Sequence, residues 1–421
     1  MDKNTPTLVV ACNAWKGDEV GGAYKIATEF AIFCAQKGWQ VHYICSHEKG
    51  TGKRPDQEAG VQIWRYPRPK TSGQGKSLRN FYAHLKGARD VTKRILAGIP
   101  DDFRGHVILN GHTALQYLGV LKGAAGRVIS RKVMSVHSPL AEEYLAEKNS
   151  PRMTWRDRAA AWSLHQVERS CFVRSDVVQY DSEFSRSIFQ KTFKSSPSPR
   201  GLVCPGYVDL KSFLVARIPR AEARERIGVS AWKTAEPCFF SVRRLVERMG
   251  MDHLILACAW LRKKLLSEGS ARKFRLVLGG EGPLKSTLEK QTLELGLSDC
   301  VYFVGRIPER ELALHYRAAD CFVLPTRALE CFGLVILESF AAGTPVIATP
   351  VGAIPEVLGP LGDLSLTHGT WPEDIGEAML HFLNEPPPNR ESQYYQYVES
   401  YEKNAVLDRL SALMESGEIK N

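Results

Sequence analysis

The stretch Leu324-Pro325-Thr326-Arg327-Ala328-Leu329-Glu330-Cys331-Phe332-Gly333-Leu334-Val335-Ile336-Leu337-Glu338 reads as the end of an apolar strand, a polar loop and a helix starting near Gly333. Two glutamates stand with seven residues between them, Glu330 in the loop and Glu338 about a turn into the helix. The backbone N–H groups of Phe332, Gly333 and Leu334 fall at the helix start. There the first N–H groups lack intrahelical partners and the positive end of the helix dipole lies, which makes an anion or hydroxyl site. A carboxylate on each side suits a polyhydroxylated ligand, because ionised Glu accepts hydrogen bonds from neighbouring hydroxyls. The same residues also admit a plainer account, with Glu330 a surface loop charge and Glu338 the partner of a basic residue.

Outward from this stretch, short apolar runs alternate with amphipathic ones. They fall at 8–12, 41–45, 107–110, 132–136 and 177–180, then at 238–242, 275–278, 300–304, 321–324 and 345–348. Continuous apolar strands separated by helices predict parallel sheets covered on both faces. The fold class is therefore α/β, with two Rossmann-like doubly wound domains. A boundary near 232 gives an N-terminal domain over 1–232 and a second over 233–393. A C-terminal helix over 394–421 follows the break Glu385-Pro386-Pro387-Pro388. Ligands of such sheets bind beyond the carboxyl ends of the strands, and two facing sheets place them in a central cleft.

Composition narrows the class further. The 421 residues are 44% hydrophobic and 24% charged, which supports a sizeable core and excludes disorder for most of the chain. No apolar run approaches the roughly 20 residues that cross a bilayer. The run 8–12 is too short for a signal sequence and reads as a first buried strand. Ten cysteines without a CxxC pair point to reduced thiols and a cytoplasmic chain. Residues 1–230 carry 36 Lys+Arg against 21 Asp+Glu, whereas the rest carry 20 against 25. The N-terminal half is thus the one expected to face an anionic surface or acceptor, unless its charge is simply a solvated face. Nucleic acid is not the expected partner, because these charges are dispersed and form no recognised binding module.

Residues 236–360 resemble the nucleotide-sugar half of family 4 retaining glycosyltransferases, which have the GT-B fold. The likeness rests on Glu330 and Glu338 at the hallmark spacing, Phe332-Gly333-Leu334 between them, Glu338-Ser339-Phe340-Ala341-Ala342-Gly343-Thr344-Pro345 after them, and Val351-Gly352-Ala353-Ile354-Pro355-Glu356. The resemblance implies that Glu338 holds the donor ribose and Glu330 lies near the transferred sugar, with the Phe332, Gly333 and Leu334 amides on sugar or diphosphate. Arg306 and Ile307 would edge the base, and Gly280 and Gly282 would line the same cleft. Arg243-Arg244-Leu245-Val246-Glu247-Arg248-Met249-Gly250 resembles the family's phosphate clamp. Arg244 takes its Arg position, Met249 stands where its Lys is usual, and Arg248 is expected to supply the second cation. In the sparser N-terminal half, Gly21 and Gly22 resemble the family's Gly-Gly element, and His137 matches a histidine that faces the donor sugar.

The implied activity is retaining transfer of a hexose-type sugar from a nucleoside-diphosphate sugar to an acceptor hydroxyl, in glycan, polysaccharide or glycolipid synthesis. UDP ranks first because it is the commonest base in the family. No metal and no other cofactor is expected: no Asp-x-Asp pair is present, and arginines with helix-start amides can do the same electrostatic work. The acceptor is a carbohydrate or lipid-linked molecule. Helices at 79–99 and 153–167 could rest on an anionic membrane, making the protein peripheral, or could turn their apolar faces to the sheet. The alternatives are a GT-B epimerase or hydrolase acting on the sugar nucleotide, and a non-catalytic sugar-nucleotide-binding protein.

Overall fold

The computed structural model describes residues 5–16, 18, 22–48, 50, 54–68, 78–100, 103, 105–147, 153–194, 198–233, 235–359, 361 and 366–417. The chain divides into two units, one of Met1–Glu142, Thr154–Pro205 and Val406–Asn421, the other of Glu143–Met153 and Gly206–Ala405.

The first unit is built on eight strands: β1 (Thr7–Ala11), β2 (Gln40–His47), β3 (Asp56–Glu58), β4 (Val61–Pro67), β5 (Val107–Gly111), β6 (Arg131–Val136), β7 (Val177–Tyr180) and β8 (Arg200–Val203). Their order is β3-β4-β2-β1-β5-β6-β7-β8, and every pair is parallel except the short β3–β4 edge. All five residues of β1 are buried, as a central strand covered on both faces requires. The chain runs outward from β1 through β2 and β4, then returns to begin again at β5. The topological switch point therefore lies between β1 and β5, where ligands of open α/β sheets sit.

The second unit has five parallel strands: β9 (Cys238–Val242), β10 (Arg275–Gly279), β11 (Val301–Gly305), β12 (Cys321–Leu324) and β13 (Val346–Ala348), in the order β11-β10-β9-β12-β13. Alternation along β9 sends Phe239 into one core with Leu254 and Leu276, and Phe240 into the other with Trp232, Tyr316 and Phe322. Each such ring contributes about 1.5–3 kcal/mol through burial. Here the switch point lies between β9 and β12.

The division falls at Pro205/Gly206 and not near 232. The reason is packing: Val208, Phe213, Ala216, Ala223 and Trp232 belong to the same core as Phe240. The C-terminal segment is two helices, Glu391–Glu399 and Lys403–Ser416, broken at 400–402. Residues up to 405 group with the second unit and those from 406 with the first. All ten cysteines are free and buried.

Candidate functional site

Arg243 is the first residue past β9, and the loop carrying Glu330 leaves the neighbouring strand β12. Both therefore stand at the switch point of the second unit. Arg243 Nη2 donates to Glu330 Oε2 at 2.6 Å, with only 9% and 10% of the two side chains exposed. Thr326 Oγ1 donates to the same oxygen at 3.2 Å. The Arg243 guanidinium also lies on the Met249 sulfur, at 3.0 Å from Nη2 and 3.3 Å from Nε.

The loop around Glu330 is held by its backbone. Leu329 adopts φ 57°, a conformation that non-glycine residues rarely take. Its carbonyl accepts from Arg248 Nη1 at 3.1 Å, while Arg248 Nη2 pairs with Glu143 Oε1 at 2.9 Å. The Glu330 carbonyl accepts from Ala353 N–H at 2.8 Å. Gly352, at φ +63°, passes so close that a Cβ there would lie 2.1 Å from that carbonyl. Gly333, at φ 93°, turns the chain into the helix Leu334–Ala341. Phe332 and Leu334 pack their side chains on Gly206, where an added Cβ would lie 2.7 Å from each. Eight residues on from Glu330, in the helix Leu334–Ala341, Glu338 Oε2 accepts from the Tyr316 hydroxyl at 2.9 Å. Burial, reinforced by Glu338, pushes that hydroxyl well above its usual range, so it stays a donor. The Arg243 charge acts in the opposite sense on that hydroxyl, drawing it down.

The expected residues thus separate into groups. Glu330, Phe332, Gly333, Leu334 and Glu338 occupy one loop–helix junction. Arg244 is exposed beside Arg243. Arg248, expected as the second cation, is engaged with Leu329 and Glu143 and braces the Glu330 loop. Gly280 and Gly282 serve backbone packing: a Cβ on Gly280, at φ +120°, would meet the Arg243 carbonyl at 1.9 Å, and one on Gly282 the Leu245 carbonyl at 2.4 Å. Arg306 is exposed, while the Ile307 side chain packs on Gly279. Sequence reasoning counted Arg243 within the clamp segment but gave the two named roles to Arg244 and Arg248. The available signal was its position as the first residue after a central strand.

In the first unit, three more such residues line up. His112, His137 and Asp181 directly follow β5, β6 and β7. His137 Nδ1 is 2.8 Å from Asp181 Oδ2, its Nε2 is 2.8 Å from His112 Nδ1, and His112 Nε2 is 2.7 Å from Asn110 Oδ1. Burial, with His137 alongside, holds His112 well below the usual histidine range. His112 and Asn110 had no sequence signal of their own, since only sheet order brings them to His137. Gly22 opens the helix Gly22–Gln36; Gly21 lies outside the described residues. Among the described residues no group of three His, Cys, Asp or Glu is placed to hold a metal.

Comparison with known proteins follows the same lines. The family described as Glycosyl transferases group 1 matches residues 223–400. A GDP-mannose-dependent alpha-(1-6)-phosphatidylinositol monomannoside mannosyltransferase from Mycolicibacterium smegmatis is 33% identical over 237 residues, 53% of this chain and 58% of that protein. An alpha-monoglucosyldiacylglycerol synthase from Streptococcus pneumoniae is 29% identical over 202 residues, 44% of this chain and 43% of that protein. The match spans about half the length of these relatives. Among solved structures, sucrose-phosphate synthase from Thermosynechococcus elongatus aligns with a TM-score of 0.77 at 20% identity, covering 97% of this chain and 98% of that one. That likeness is one of fold, the α/β GT-B type.

Proposed function

We propose that this chain, whose residues 223–400 match the family described as Glycosyl transferases group 1, is a retaining glycosyltransferase acting with a nucleoside-diphosphate sugar. The observation that carries this is the Arg243–Glu330 pair at the second unit's switch point, next to the start of the helix Leu334–Ala341. In the reaction the bond from the anomeric carbon to the β-phosphate oxygen breaks, and a new bond to the acceptor oxygen forms on the same face. The acceptor proton goes to the departing phosphate. Negative charge growing on the diphosphate meets fixed arginines and helix-start amides, which cost no reorganisation at that moment. Arg243 and Arg244 are the cations for this role, and the reaction needs no metal. Glu330 positions the sugar and Glu338 the ribose.

Sequence reasoning put UDP first. The mannosyltransferase relatives are named for GDP-mannose, and this moves GDP-mannose ahead as the donor to test. Their names, with that of the diacylglycerol enzyme, favour a lipid-linked acceptor. Surface chemistry of the first unit agrees. The helix Trp155–Phe172 buries Ala161, Val167, Cys171 and Phe172 but leaves Trp155 75% and Trp162 65% exposed. Seven residues apart, the two indoles share a face with exposed Arg158 and Arg169. Such a face suits the headgroup layer of an anionic, cytoplasmic-side membrane, reached peripherally. Among the described residues no helix is long and apolar enough to cross a membrane.

Incubation with GDP-mannose or UDP-sugars and a phosphatidylinositol-based acceptor, with and without EDTA, tests this. An α-linked product from an α-linked donor, unaffected by EDTA, is expected. Donor consumed without acceptor, giving free or rearranged sugar, would instead identify a hydrolase or epimerase.

A further inference from the structure

Beside the Glu330 loop the second unit carries a hollow of about 220 Å³, and every residue that lines it belongs to that unit. Thr326 and Arg327 are consecutive, yet their side chains part. The Thr326 hydroxyl goes to the Glu330 carboxylate, whereas Arg327 Nη1 pairs with Asp252 Oδ2 at 3.2 Å and lines the hollow. The loop is tied to the neighbouring Arg248 by its backbone, the Arg327 N–H donating to the Arg248 carbonyl at 2.9 Å. Trp371 supplies an aromatic face. It directly precedes the helix Pro372–Asn384, and its backbone N–H donates to Asp374 Oδ2 at 3.0 Å. Its indole is 67% exposed and stacks on the His253 ring, with centroids 6.0 Å apart and planes at 18°. His253 is held in turn: its Nδ1 donates to the Thr370 carbonyl at 2.7 Å, since a carbonyl can only accept. The indole is thus fixed by its backbone and by the imidazole against it, while most of its surface stays open.

The charges decide what kind of ligand fits. Two arginines line the hollow, but each is matched, Arg248 by Glu143 at 2.9 Å and Arg327 by Asp252, and Glu247 in the wall adds a further carboxylate. No positive charge is left over to hold a phosphate. Each guanidinium keeps N–H donors beyond those its carboxylate takes. What remains is a balanced set of donors and acceptors beside one flat apolar face. That is the complement of a neutral sugar ring, whose hydroxyls exchange hydrogen bonds with guanidinium and carboxylate while its C–H face lies on an indole. The volume agrees, being below the roughly 300–1,000 Å³ of drug-sized sites and enough for a single ring. We propose that this hollow is a second carbohydrate subsite, which holds a neutral sugar ring other than the one transferred. The binding follows from the hollow alone; only the ring's source, a sugar already on the acceptor or a free sugar, rests on the glycosyltransferase reading.

Saturation-transfer NMR of the full chain with methyl α-mannopyranoside and methyl α-glucopyranoside tests the proposal. At least one glycoside is expected to receive saturation, and inorganic phosphate is expected not to displace it. Trp371→Ala, which keeps the backbone bond to Asp374, should weaken that binding at least about tenfold. Ala328→Leu, which fills the hollow and removes none of its polar contacts, should do the same. No transfer to either glycoside overturns the proposal, as does transfer undiminished in both variants, each folded by circular dichroism. Displacement by phosphate would make the hollow an anion site and overturns it too. Turnover then separates the two sources, with phosphatidylinositol acceptors that do and do not bear a sugar. If the ring is the acceptor's, both variants should lower kcat/KM for the sugar-bearing acceptor at least about tenfold relative to the bare one. An unchanged ratio, with glycoside binding weakened, assigns the subsite to a free sugar. Failure of the wild type to bind any nucleoside diphosphate would strike the glycosyltransferase reading and leave the glycoside result standing.

Discussion

Arg243 and Glu330 lie 87 residues apart in sequence and form a 2.6 Å ion pair that is nine-tenths buried. A buried pair of this kind is poor evidence for net stability, because desolvation offsets much of the attraction. Breaking it from one side is costly, since a charge is left behind without its partner. Arg243→Met should therefore destabilise the second unit by about 3–5 kcal/mol in urea denaturation. The double variant Arg243→Met/Glu330→Gln should recover much of that stability and none of the activity. Recovery of both would show the pair to be structural only.

Gly280 holds the Arg243 backbone in place. At φ +120° and with the Arg243 carbonyl 1.9 Å from any added Cβ, Gly280→Ala has to move one loop or the other. The expected cost is at least about 2 kcal/mol, accompanied by weaker donor binding. An unchanged denaturation midpoint and donor KM would contradict the tight apposition of these loops.

Two buried histidines tie stability to acid. Burial lowers His42 and His315 to about 4, and each ring accepts from an indole, Trp64 Nε1 and Trp232 Nε1 respectively, at 3.2 Å. The unfolded chain binds these protons near pH 6.5 and the folded chain does not. The stability from the neutral rings is thus fully present above about pH 6.5 and lost as the pH falls toward 4, by roughly 3 kcal/mol for each ring. His315→Gln retains an acceptor for Trp232 and should flatten the decline of the urea midpoint between pH 6.5 and 4. A slope equal to wild type would mean that His315 does not titrate in this way.

Membrane contact has its own test. Trp155→Ser/Trp162→Ser removes two exposed indoles and should leave stability within about 0.5 kcal/mol. Partition onto phosphatidylglycerol-containing vesicles should fall at least about tenfold. Vesicle binding equal to wild type would move any lipid contact off this helix.

Much of the architecture was written locally. All ten apolar runs read from the sequence are strands, because central parallel strands must be apolar on both faces. The three that escaped lie at or near an edge. Arg200–Val203 is short and has no buried residue, Asp56–Glu58 is wholly exposed, and Val61–Pro67 interrupts its buried positions with Gln62, Trp64 and Arg65. Glu330 and the helix start were legible because the junction is contiguous in sequence. The Arg243–Glu330 pair and the His112–His137–Asp181 string were not, because each depends on which strands end side by side. Gly280 and Gly282 read in sequence as cleft-lining glycines, and only backbone distances show how tightly each also stands against a neighbouring carbonyl.

The most direct measurement is calorimetric titration of GDP and UDP into the wild type and Glu338→Gln, with and without EDTA. One nucleoside diphosphate is expected to bind, indifferent to EDTA, at least about tenfold more weakly once Glu338 is neutral. At 100 times its dissociation constant it should also raise stability by about 2.7 kcal/mol. Failure of every nucleoside diphosphate to bind the wild type would contradict a nucleotide-sugar site at the switch point of the second unit.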